Sequence, residues 1–115
     1  MRDDKGNIIV EKSFEFALLI VDYAELLESK KKYVVARQIL KSGTSIGANV
    51  REAQNAESKD DFIHKMKIAA KEADETEYWL LLCQQSPHYP DCKELYEKLI
   101  VIQKILSKII SLSKK

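Results

Sequence analysis

Four stretches of this sequence carry apolar residues at alternating three- and four-residue spacing, and no other feature restricts the fold as strongly. Phe16, Ile20, Tyr23 and Leu27 form the first set, and Ala36, Ile39, Gly43, Ile46, Val50 and Ala53 the second. Phe62, Met66, Ala69, Ala73, Thr76, Leu80 and Cys83 form the third; Leu95, Leu99, Ile102, Leu106 and Ile109 form the fourth. The spacing matches the helical repeat and places each set on one stripe of a helix. Only three glycines and two prolines punctuate 115 residues, which is too little turn material for a many-stranded fold. The expectation is all-α: a single domain over 1–115, folded as an antiparallel up-down-up-down four-helix bundle. An N-terminal arm at 1–10 precedes helices near 12–30, 33–56, 58–86 and 91–113.

Local signals mark the boundaries. Ser13 can cap the first helix near its start, and Lys30-Lys31-Lys32 suits its negative C-terminal end. Ser58 followed by Asp60 and Asp61 is a helix start, with a capping hydroxyl and two acids in the positive first turn. Ser86-Pro87-His88-Tyr89-Pro90 stops the third helix, because proline disfavours helix at its own position and just before it. Gly43 and Gly47 lie inside the second helix at a cost of about 1 kcal/mol each relative to alanine. Close approach of a neighbouring helix is the natural offset, or else the hydroxyls of Ser42, Thr44 and Ser45 bond back to carbonyls and bend the helix. Phe14, Leu18 and Val21 give the first helix a second apolar face, so it is either central or covered by another subunit.

The residues say less about chemistry. Net charge is +1, which gives no global electrostatic case for nucleic acid. The N-terminal residues mix acids and bases around a short apolar run, unlike a signal peptide. No segment is long and apolar enough to span a bilayer. A cytoplasmic protein without a membrane partner is expected, with Cys83 and Cys92 as free thiols. His64 shares a helix face with Asp60 and Asp61, but the chain has no Glu-x-x-His unit of the kind di-iron bundles use. Neither a metal nor a cofactor is expected. Glu72, Asp74, Glu75 and Glu77 crowd the third helix and read as a solvated or interface face rather than an acid/base pair. No nucleophile triad, phosphate loop or cofactor fingerprint is present, so the chain is expected not to be an enzyme.

Local charge is more informative. Lys30, Lys31, Lys32, Arg37, Lys41 and Arg51 fall in a run that contains no acid. Arg37 and Lys41 share a helix face, and Tyr33 lies beside them. Such a stripe can neutralise phosphates with a tyrosine available for stacking; it can equally be a solvated face, or pair with third-helix acids. Tyr78 and Trp79 point about 100° apart on a helix, so one packs inward while the other faces a groove or subunit interface. Tyr78, Trp79, Glu72 and Glu75 are the candidate oligomer contacts.

The segment SGTSIGANVREAQNAESKDDFIHKMKIAAKEADETEYWL, residues 42–80, closely resembles the bacterial four helix bundle protein family. That family includes proteins encoded by intervening sequences in 23S ribosomal RNA genes. The blocks SIGAN, REA, DF and KEADETEYWL carry the resemblance, which extends through KSFEFALLI and ELYEKLIVIQKILSKII to nearly the whole chain. Where members often read N-I-A-E-A, this chain has Asn49-Val50-Arg51-Glu52-Ala53. The resemblance implies an antiparallel bundle assembled as a homo-oligomer, with pentameric rings the known form, and no established enzymatic activity. A more distant similarity, to the accessory protein of diversity-generating retroelements, implies a basic surface that works with a reverse transcriptase and RNA. The resulting expectation is a non-enzymatic homo-oligomeric binding protein that contacts RNA or other nucleic acid through the second helix. Its partners would be itself and RNA or a nucleic-acid-processing protein. The alternative is a protein–protein assembly or adaptor module with no nucleic-acid ligand.

Overall fold

In the computed structural model, which describes residues 7–114, four helices follow one another with short turns between them: α1 (Ile8–Ser29), α2 (Tyr33–Ala53), α3 (Lys59–Gln85) and α4 (Lys93–Ser113). Each packs on its neighbours in the chain, and α4 closes the ring onto α1, while the diagonal pairs do not approach. The result is an antiparallel up-down-up-down bundle measuring 45 × 25 × 22 Å. The four apolar stripes converge as expected. Phe16, Ile20, Leu27, Ile39, Ile46, Met66, Leu80, Leu99 and Leu106 are essentially without exposure.

The beginning of the chain corrects the sequence reading. The helix does not wait for Ser13 or for residue 12; it begins at Ile8, so residues 8–10 of the expected arm are already helical. Ile9 and Val10 are buried and extend the core stripe by one turn, which outweighs the polar residues around them. Ser13 is a buried residue inside the helix, and its hydroxyl donates back to the Val10 carbonyl at 3.3 Å. Asn7 occupies the N-cap position without capping; its amide donates to Gln54 Oε1 at 2.9 Å, pinning the start of α1 to the end of α2. Residues 1–6 of the expected arm lie outside the described residues. The second helix ends at Ala53 rather than residue 56, and α4 starts at Lys93 rather than 91.

The turn from α1 to α2 has a definite geometry. The Lys32 N–H donates to the Leu27 carbonyl and the Lys31 N–H to that of Glu28, both at 2.9 Å. This is the paired bonding of a Schellman motif, and it puts Lys31 at a left-handed φ of 64° where glycine is the usual occupant. At the same end of the bundle, the Lys32 ammonium lies 5.1 Å from the centre of the Tyr89 ring. That cation–π contact joins the α1–α2 turn to the α3–α4 turn.

Both interior glycines sit against α1. A Cβ at Gly43 would fall 2.8 Å from Cγ1 and Cγ2 of Ile20; one at Gly47 would fall 3.2 Å from the Ser13 carbonyl oxygen. The close approach expected of them is real, and hydroxyl back-bonding accompanies it: Thr44 donates to the Leu40 carbonyl at 2.7 Å and Ser45 to that of Lys41 at 2.6 Å. Ser42 does something else. Its hydroxyl shares a 2.9 Å hydrogen bond with that of Thr76 on α3, and both residues are fully buried.

At the start of α3 the Asp61 N–H donates to the Ser58 hydroxyl at 3.0 Å, the cap anticipated from the sequence. At its far end Gln84 organises the turn, donating to Asp91 at 2.7 Å and accepting the Cys92 N–H at 2.8 Å. The Tyr23 phenol reaches across from α1 to donate to the Pro90 carbonyl at 2.7 Å. Cys83 and Cys92 are free, buried thiols beneath this turn. Burial pushes the Cys92 thiol up to about 11 and also raises that of Cys83. Burial raises the Tyr23 phenol as well, with the two thiols as lesser contributors.

Candidate nucleic-acid interface

The basic residues of α2 lie opposite its core stripe. Arg37, Lys41, Thr44, Ala48 and Arg51 alternate four and three residues apart, which makes one line down the outside of the helix. At 1.5 Å per residue that line runs for about 20 Å. Arg37, Lys41 and Arg51 are exposed, and neither Arg37 nor Lys41 makes an ion pair among the described residues. Lys30 and Lys31 continue the charge into the turn and are exposed too, whereas Lys32 is half-buried and committed to Tyr89.

Among the described residues, the third-helix acids form no ion pair with Arg37 or Lys41. Between α2 and α3 an ion pair joins Glu52 to Lys65, 3.0 Å apart, and involves neither Arg37 nor Lys41. Glu75 instead accepts from the Trp79 indole N–H at 3.3 Å. Asp74 and Glu77 face α4, where the Gln103 amide donates to both, at 3.1 and 3.0 Å. The Tyr96 hydroxyl donates to Glu77 at 3.1 Å, and this bond is the main reason its phenol is raised. Glu72 is half-buried, and its carbonyl accepts from the Thr76 hydroxyl at 2.8 Å.

The adjacent aromatics divide as geometry requires. Trp79 packs partly against the core while Tyr78 is 59% exposed, and their rings meet edge to face with centroids 5.3 Å apart. The second apolar face of α1 is uncovered in the single chain, since Phe14, Leu18 and Val21 all reach solvent.

Two concavities lie beside these features. A groove of about 660 Å³ runs between α1 and α4 over Phe16, Leu19, Val101 and Ile102. Its rim mixes Lys12 and Lys98 with Glu15, Glu94 and Glu97, so it offers no net attraction to an anion. A cleft of about 230 Å³ between α1 and α2 is lined by Phe14, Ala17, Thr44 and Arg51, and adjoins the basic line. Neither concavity is legible in the order of residues, because each depends on how far two helices stand apart. His64 and His88 are exposed. Among the described residues, no group of three or more His, Cys, Asp or Glu converges as a ligand set. Among the described residues, too, no helix is long and apolar enough to cross a membrane.

Comparison with known proteins adds the lineage. The family model for the 23S rRNA-intervening sequence protein matches residues 5–108. The chain belongs to that family. The bundle is also similar to the crystal structure of a protein of unknown function from the S23 ribosomal protein family of Bacteroides thetaiotaomicron VPI-5482. The two are 45% identical with a TM-score of 0.84, over 89% of this chain and 97% of that one. No functionally curated protein matches the sequence. The intervening-sequence family therefore accounts for the fold, while its structural relative carries no assigned activity from which a role could be transferred.

Proposed function

We propose that the protein is a non-enzymatic, homo-oligomeric binding protein that contacts RNA through the outer face of α2. One observation carries the reading: Arg37 and Lys41 stand exposed on an outer line of α2 whose own positions hold no acid, with no ion pair to the acids of α3 among the described residues. Cations that served only to hold the bundle together would face those acids. Left toward solvent on one line, they can follow a phosphate backbone and release its counterions. The family description names an intervening sequence of 23S rRNA, and the structural relative comes from a ribosomal protein family; an RNA ligand fits both.

Self-association rests on the uncovered apolar surface. Phe14, Leu18 and Val21 on α1, and Tyr78 with Leu81 on α3, are exposed large side chains of the kind that subunit interfaces bury. The reading as a protein–protein adaptor uses these same residues and would leave the basic line without a ligand.

The test is the binding of structured RNA over a salt series, with the mass of the assembly measured alongside. Affinity should fall steeply between about 50 and 200 mM salt. Arg37→Glu with Lys41→Glu should weaken binding and flatten the slope by about 1 per lost phosphate contact. A protein that binds no RNA at low salt, or ignores both reversals, would refute the RNA reading. A monomer at all concentrations would refute the assembly.

A further inference from the structure

We infer that the corner of the bundle at the α1–α2 turn receives an unpaired RNA nucleotide, its base on the Tyr33 ring and its flanking phosphates on Lys30, Lys31 and Arg37. The inference rests on the RNA reading above and names the form of RNA and the place where it is held.

Tyr33 opens α2 with its side chain half exposed, and its hydroxyl makes no hydrogen bond among the described residues. Val34 beside it is 64% exposed, more than any other large apolar side chain described. Neither is accounted for by packing within the chain. Arg37 lies one helical turn on from Tyr33 and shares its face, and Lys30 and Lys31 precede it, all exposed. An aromatic ring bordered by cations is the usual platform for single-stranded nucleic acid, because every base has a face to stack and each step brings a phosphate.

The corner is also held in place. Two hydrogen bonds to the Leu27 and Glu28 carbonyls fix the turn, and the contact between Lys32 and Tyr89 braces it against the α3–α4 turn. Lys31 occupies the left-handed position where glycine costs least. The chain thus places a cation beside Tyr33 at a backbone position that disfavours any side chain. An exposed ring at a helix end suits an unpaired strand better than a duplex, since the deep, narrow major groove of A-form RNA is closed to side chains.

Fluorescence anisotropy at low salt, with a short labelled RNA strand measured alone and annealed to its complement, tests this. The strand should bind more tightly than the duplex. Tyr33→Leu should weaken binding of the strand by about 5- to 150-fold, the range for one stacked base, and leave the duplex unchanged, whereas Tyr33→Phe should bind as the parent does. Lys31→Gly separates folding from binding: its Tm should rise by about 4 °C as the strained position is relieved, while its affinity for the strand falls. Equal affinity for strand and duplex, or a Tyr33→Leu variant that binds the strand like the parent, would overturn the inference. If Arg37→Glu with Lys41→Glu still weakens binding in that event, the RNA reading survives alone. Absence of binding to either RNA removes both.

Discussion

Single atoms decide the tightest part of this bundle. Gly43 lies where a methyl group would strike Ile20 at Cγ1 and Cγ2, atoms close to the backbone of a fully buried side chain that has nowhere to move. Overpacking of that kind costs about 1–3 kcal/mol, against about 1 kcal/mol regained from better helix propensity. Gly43→Ala is therefore expected to lower stability, read as a lower urea midpoint with an unchanged slope. Lys31 carries the opposite expectation, since glycine at φ 64° relieves about 1 kcal/mol. Titration gives a third prediction at this scale. Burial keeps the Cys92 and Cys83 thiols protonated in the fold, that of Cys92 up to about 11, while an unfolded thiol ionises near 8.5. The folded state thus binds more protons above that value, and its stability declines as pH rises from about 8.5 toward 11. Cys92→Ala should make this alkaline decline shallower in denaturation curves taken across the range.

At the scale of helices, polar contacts set the alignment that apolar stripes leave loose. The Ser42 and Thr76 hydroxyls meet in the middle of the α2–α3 seam, with Thr76 also held to the Glu72 carbonyl. Thr76→Val alone strands the Ser42 hydroxyl in the core and should cost about 1–3 kcal/mol. Ser42→Ala with Thr76→Val removes both partners and should recover much of that loss in a double-mutant cycle. The four stripes, the Ser58 cap and the close approach at Gly43 and Gly47 were all legible in the sequence, because periodicity and capping are local. The start of α1 was not: Ile9 and Val10 belong to a helix only because α2 lies there to bury them, and Asn7 finds its partner 47 residues away at Gln54. The basic line could be read as a run of residues, but its exposure could not. That depended on Glu52 pairing with Lys65 and on Asp74 and Glu77 turning toward α4, choices made by tertiary packing.

Taken whole, the molecule is a bundle with its chemistry on one side and at one end. The basic line follows α2, and the turn that carries Lys30 and Lys31 meets the α3–α4 turn through Lys32 and Tyr89. Phe14, Leu18 and Val21 lie on the neighbouring helix, so a second copy seated there would set two basic lines within reach of one RNA. Linked sites of that kind raise overall affinity without any new contact, by raising the effective concentration of the second site once the first is bound. The seams of the bundle are unequal: α1–α2 and α2–α3 pack most closely, and the pair far apart in sequence, α1 with α4, leaves the open groove over Leu19 and Val101. Most of the packing thus joins neighbours along the chain, which brings few long loops to close and favours rapid folding. The hairpins can form early and α4 close onto α1 last. Run backwards, the same order makes that pair of helices the first to part, and the native protein should admit solvent deuterium there before it does so around Gly43.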